Sequence, residues 1–286
     1  MALRLMYITN QPEVALIAES AGVDRIFLDM EYIGKTLRQG GMDTVQCHHT
    51  LEDITTVRQV LTRAQLLVRC NPIHDATADY SSTEDEINGI IQNGADIIML
   101  PYFKTASEVE RFLKAVDGRV TTMLLVETPE AVEHIDEILA LPGIDEAHIG
   151  LNDLSLGYHK KFMFELLADG TVGALCEKFR RHGISYGFGG IASLGRGVLH
   201  SEYIIAEHFR LGSTCAILSR SFCDMNHVES LDAARILFKN GLQSIREYEL
   251  FCAAQPPAFF EKNRETVRDC VDHILQEITE QRIATV

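Results

Sequence analysis

Basic side chains are scarce in this sequence: 26 lysines and arginines stand against 41 aspartates and glutamates, a formal charge of −15. Nucleic acid and anionic membrane both demand a basic face that releases counterions, so neither is expected as a partner. A small anionic substrate needs only a local positive site and stays open. Long apolar runs are also missing. No stretch approaches the roughly 18 residues of a membrane span, and the opening MALRLMYITNQPE has no basic segment followed by a long apolar one. The chain is therefore expected in the cytoplasm. Paired cysteines are absent as well: Cys47, Cys70, Cys176, Cys215, Cys223, Cys252 and Cys270 form no Cys-x-x-Cys, and their number is odd. Most lie in apolar or helical context, which predicts reduced, buried thiols.

What is present is a core-forming composition, 46% hydrophobic in 286 residues, long for an ordinary domain but usual for an undivided α/β barrel. Apolar runs at 3–8, 24–32, 65–70, 95–101, 120–127, 145–150, 184–190 and 213–220 read as strands. Nearly all are separated by amphipathic segments, as at 12–22, 51–63 and 83–94, the last with Thr83 and Glu86 spaced as a capping box. Residues 33–50 carry no periodicity and read as a long loop. Two long helices near 227–250 and 260–280 close the chain. Strand and helix alternating eight times predict a (β/α)₈ TIM barrel over 1–255, with a helical extension over 256–286. A doubly wound sheet is the runner-up, but the Gly-x-Gly-x-x-Gly turn it needs after the first strand is replaced by Thr9-Asn10-Gln11-Pro12. Gly187-Phe188-Gly189-Gly190 follows the seventh strand, as an anion-binding turn or a tight turn needing positive φ.

The stretch with most chemistry is MLLVETPEAVEHIDEILALPGIDEAHIGLNDLSLG, Met123 to Gly157. The fifth strand stops at Glu127, where Thr128-Pro129 can cap and open a helix; the sixth runs into a loop at Leu151-Asn152-Asp153. On neighbouring parallel strands the two acids meet at one rim. They would share a proton or a cation, and hard oxygens suit Mg²⁺ or Mn²⁺. Either acid alone also reads as a cap or turn former. Arg69 ends the third strand after Leu66-Leu67-Val68, where a buried guanidinium needs a purpose. It either serves a small anionic substrate, or pairs with Glu127, Asp29 or Glu31 to close the rim. His48 and His49 supply a base or cap the following helix. His148 reads as a hydrogen-bonded structural residue. Lys104, Lys160 and Lys161 lie in polar context, unlike a Schiff-base lysine.

Across most of its length the chain resembles the HpcH/HpaI aldolase and citrate lyase β-subunit family, in AGVDRIFLDMEY, QLLVRCNP, NGADIIMLPYF, VETPEAVEHIDEILALPGIDEAHIGLNDLSLG and GFGGIA. EYIGKTLRQG, HIGLNDLSL, KFMFELLADGTV and AILSRSFC resemble a subgroup found among surface-polysaccharide biosynthesis proteins. The resemblance implies a barrel, often hexameric, whose last helix packs on a neighbouring subunit. It also implies a divalent metal on Glu127 and Asp153, Arg69 against the keto or enolate oxygen, and amides at Asn152 and Asp153 on the substrate carboxylate. The implied activity is a class II aldolase type of carbon–carbon cleavage or synthesis on a pyruvate-like 2-oxo acid, with an aldehyde as partner. Two alternatives stay open: citrate lyase-like chemistry with a CoA thioester or oxaloacetate, and a barrel that binds metal and ligand without turnover.

Departures from the family pattern are specific. Its histidine after the second strand is Tyr32 here, in Asp29-Met30-Glu31-Tyr32, and its orienting aspartate falls near Gln92. A usual glutamine two residues before the first metal ligand is Leu125. Tyrosine's ordinary pKa near 10 suits Tyr32 to an acid role or to packing, rather than to a base.

Overall fold

Short runs of Val, Ile, Leu and Met between helix caps form the strands, whose alternate residues face opposite sides of the sheet. The computed structural model describes residues 2–34 and 49–284. His48, Cys47 and most of the 33–50 stretch lie outside them. Among the described residues eight parallel strands close into a barrel in sequence order. They are β1 (Arg4–Ile8), β2 (Arg25–Asp29), β3 (Gln65–Arg69), β4 (Ile97–Leu100), β5 (Thr121–Val126), β6 (Glu146–Ile149), β7 (Ser185–Ile191) and β8 (Cys215–Leu218). This is the predicted (β/α)₈ barrel.

The helices around it are α1 (Pro12–Ala21), α2 (Leu51–Val60), α3 (Thr83–Gln92), α4 (Ala106–Val116), the short pair α5 (Pro129–Glu133) and α6 (Ile135–Leu139), α7 (Leu151–Gly157), α8 (Glu165–Ala168), α9 (Thr171–Arg181) and α10 (Ser201–Leu211). Two long helices follow, α11 (Leu231–Ala253) and α12 (Pro257–Ala284). None of the described helices is long and apolar enough to cross a membrane. Helix α12 lies against α10 of its own chain, where buried Asn263 donates to the Tyr203 carbonyl and to Glu207. Cys70, Cys176, Cys215, Cys223 and Cys252 are buried free thiols and Cys270 is half-buried, as the sequence predicts.

Three local expectations need correction. The cap of α3 is Ser82, which accepts from the Asp85 amide, so the capping frame sits one residue before Thr83. Gly187 to Gly190 lie inside β7, within the run 184–190 read as the seventh strand, and form no turn after it. A Cβ at Gly187 would stand 2.2 Å from the Cys215 carbonyl, so the glycine serves strand approach at the β7–β8 seam. Asn152 and Asp153 are in the first turn of α7, not in a loop.

Period two sorts the core into a ring and a plug. Leu5, Ile26, Leu28, Leu66, Val68 and Leu124 pack outward under the helices, while Met6, Phe27, Leu67, Met99, Met123 and Leu125 fill the barrel interior. Two residues further along three of these strands, the same inward face carries Asp29, Arg69 and Glu127. The carboxyl-terminal rim of the barrel is therefore charged because the inward face ends in polar residues.

Candidate functional site

Glu127 and Asp153, both buried, line one cavity of about 200 Å³ together with Tyr102, Thr128 and Gly157. Pairing of β5 with β6, Val126 opposite Ile149, brings the two strand ends side by side. Thr128 caps α5 through the Ala131 amide with Pro129 at the first position, so the chain turns away just past Glu127. The carboxylate of Glu127 accepts the Tyr102 amide at 3.0 Å. Tyr102 reaches that position with φ +49°, a conformation a non-glycine residue adopts rarely. Opposite, Asn152 donates its side-chain amide to Asp153 at 3.1 Å.

Gly150 makes room for this pair. A Cβ there would stand 2.7 Å from Glu127 Oε2 and 2.8 Å from its Cβ. Gly150→Ala is therefore expected to push the Glu127 carboxylate aside and, if that carboxylate holds a cation, to weaken Mn²⁺ binding by about 10–100-fold. Titration calorimetry reads this directly, and parent-like affinity would show that Glu127 has space to spare.

Two hard, buried oxygen donors fit Mg²⁺ or Mn²⁺, which commonly take one or two carboxylates and fill the shell with water and substrate. Among the described residues no cluster of three or more His, Cys, Asp or Glu joins them, so the protein share of such a shell would be these two.

Arg69 stands beside the pair. Its Nε and Nη2 donate to the two Asp29 oxygens at 2.8 and 2.7 Å, and Nη1 lies 3.3 Å from Glu31. Asp29 and Arg69 are directly opposed in the β2–β3 register, and the guanidinium lies over the Phe27 ring. Burial pulls its pKa down, but Asp29 and Glu31, then Glu127, more than offset this and hold it well above the ordinary arginine range. The ion-pair reading of Arg69 is thus realised. The same guanidinium also lines a second cleft of about 470 Å³ with Asn152, Asn10, His49 and Arg220. The seam between the two cavities is Asn152-Asp153. A larger cavity of about 750 Å³, between Leu113 and Pro142, opens where β5 and β6 begin, the end of the barrel that does not carry the chemistry in this fold.

The other candidates separate. Tyr32 donates its backbone amide to Asn71 and packs its ring against the outer core. His49 does not cap α2, since Thr50 does so with Asp53. Its Nδ1 accepts the Asp29 amide at 2.9 Å, which leaves the ring proton on Nε2. His148 is buried against the Gly189 carbonyl, its pKa pushed down to about 4 by that burial, the structural role expected of it. Leu125 joins the apolar interior, and Gln92 is exposed in the last turn of α3. Lys104 and Lys160 are ion-paired with Glu130 and Asp169, and Lys161 is exposed. Tyr102, Gly150 and Arg220 fall within segments that carry the resemblance, NGADIIMLPYF, HIGLNDLSL and AILSRSFC, but nothing in their residue types singles them out as part of the site.

Comparison with known proteins follows the same lines. No curated protein matches the chain in sequence. Many solved structures are similar in fold, among them the following three. An HpcH/HpaI aldolase from Desulfitobacterium hafniense DCB-2 is 16% identical with a TM-score of 0.57, covering 86% of this chain and 93% of its own. An HpcH/HpaI aldolase/citrate lyase family protein from Burkholderia cenocepacia J2315 is 14% identical, TM-score 0.56, covering 85% and 95%. The citrate synthase SbnG is 17% identical, TM-score 0.56, covering 86% and 94%. The family model for HpcH/HpaI aldolase/citrate lyase matches residues 4–171, from β1 to the start of α9, and so includes Arg69, Glu127 and Asp153. With that match spanning more than half its length, the chain belongs to the HpcH/HpaI aldolase/citrate lyase family.

Proposed function

We propose that the chain is a divalent-metal-dependent carbon–carbon lyase or synthase that forms or uses the enolate of a pyruvate-like 2-oxo acid, with an aldehyde as the other reactant. The observation carrying this reading is the meeting of two buried carboxylates in one cavity, with a clamped guanidinium beside them. Glu127 and Asp153 would hold Mg²⁺ or Mn²⁺, which when bound supplies Lewis acidity towards a keto oxygen. Arg69 offers a permanent positive charge to the oxygen on which negative charge grows as a C3 proton or a C3–C4 bond is lost. Its grip on Asp29 sets that orientation before substrate arrives, so little reorganisation is needed at the moment of reaction. The amides of Asn152 and Asp153, opening α7 beside the second acid, would hold the substrate carboxylate. Tyr32, where the family usually has histidine, packs its ring on the outer core and lines neither cavity, so no proton step is assigned to it.

The test is isotopic. In deuterated water with Mg²⁺ or Mn²⁺, the protein is expected to exchange the methyl protons of pyruvate, seen as loss of the methyl signal by NMR, and a chelator should stop it. If no divalent cation supports exchange of pyruvate or another simple 2-oxo acid above the metal-only rate, the reading fails.

A further inference from the structure

Helix α11 buries Ala234, Phe238, Leu242, Ile245 and Cys252 against the barrel. On its outer side Ile236 is 61% and Leu250 72% exposed, more than any other apolar residue of that helix. Gln243 lies midway: Ile236 and Leu250 are each seven residues from it, Lys239 and Glu247 each four. Seven residues make about two helical turns and four about one, so these five exposed residues fall along a single stripe roughly 21 Å long.

We propose that this stripe docks on the same stripe of a second copy of the chain, the two α11 helices running antiparallel about a two-fold axis at Gln243. Reversal about that point exchanges Ile236 with Leu250 and Lys239 with Glu247. Apolar then meets apolar, and ammonium meets carboxylate, on both sides of the axis. Self-complementarity of this kind is the requirement of an isologous contact. Leu237 and Phe251, also exposed, share one flank of the stripe, so each faces the other across the pair. A second copy suits the surface better than an unrelated acidic protein would. At a formal charge of −15 two chains repel at random, and only a register that sets cation against acid relieves this.

Sedimentation of the full chain tests the contact. The parent is expected as an even-numbered assembly, and Ile236→Glu with Leu250→Glu should halve its mass while the helical circular dichroism persists. Lys239→Glu or Glu247→Lys alone should weaken association roughly tenfold, since each removes two symmetry-related pairs, and the two together should restore it. Gln243→Cys should form a disulfide-linked dimer under mild oxidation that the parent does not. A monomeric parent overturns the proposal. So does an unchanged mass in the double glutamate variant together with no added cross-link.

Discussion

Asp153→Ala and Glu127→Gln are each expected to slow metal-dependent exchange of pyruvate's methyl protons by about a thousandfold, the scale of losing several kcal/mol of charge stabilisation at a carbonyl. Among the described residues two carboxylates line the small cavity, so each would carry half of the anionic charge that holds a cation there. Glutamine keeps the shape of Glu127 and still accepts the Tyr102 amide, which makes that variant a test of charge with packing intact. Asp153→Ala removes in addition the acceptor of Asn152, so its effect should be at least as large. Mn²⁺ affinity, measured by titration, should fall in both variants while their melting temperatures stay near the parent's. Parent-like affinity in both would mean that the acids meet for a structural reason only.

The barrel was legible because its signals are local. Each strand is a short apolar run, and most of the longer helices start with Ser, Thr or Pro where the cap requires it. Glu127 could be placed for the same reason, since Thr128-Pro129 forces the chain into a helix just past it. The start of α3 is where the sequence puts it, but its cap falls one residue earlier than expected because Ser81-Ser82-Thr83 offers two frames with identical spacing, Ser82 with Asp85 and Thr83 with Glu86; burial of Thr83 and Glu86 decides for the first. Helix α7 was missed because its cap, Gly150, has no side chain to announce it. The grip of Asp29 on Arg69 joins residues 40 positions apart; the sequence offers Asp29 as one of three partners, and the β2–β3 register, which sets the two residues directly opposite, selects it. Tyr102 takes a left-handed conformation without glycine, so nothing in its neighbourhood marks it.

Period two has a consequence at the other end of the barrel, where Glu146→Ala is expected to cost about 3–5 kcal/mol of stability, the usual effect of stranding a buried charge. The inward face of β2 begins at Arg25, only 1% exposed, and that of β6 begins at Glu146. The Glu146 carboxylate takes both Arg25 terminal nitrogens, at 2.6 and 2.8 Å, and Arg4 at 2.9 Å, while Gln65 accepts from Arg25 Nε. Burial alone would raise the Glu146 pKa, but Arg25 and then Arg4 bring it below the ordinary glutamate value. Its contribution is accordingly present above that ordinary range and is lost as acid protonates the folded carboxylate. At neutral pH the alanine variant should melt roughly 5–15 °C below the parent. Arg25→Met combined with Glu146→Leu should recover most of the loss, since an apolar plug of similar volume needs no counter-charge. The rim acids lie about 13 Å further along the strands, so Mn²⁺ affinity should survive in every folded variant. A melting point unchanged by Glu146→Ala would mean that water reaches Arg25 and that the plug is not sealed.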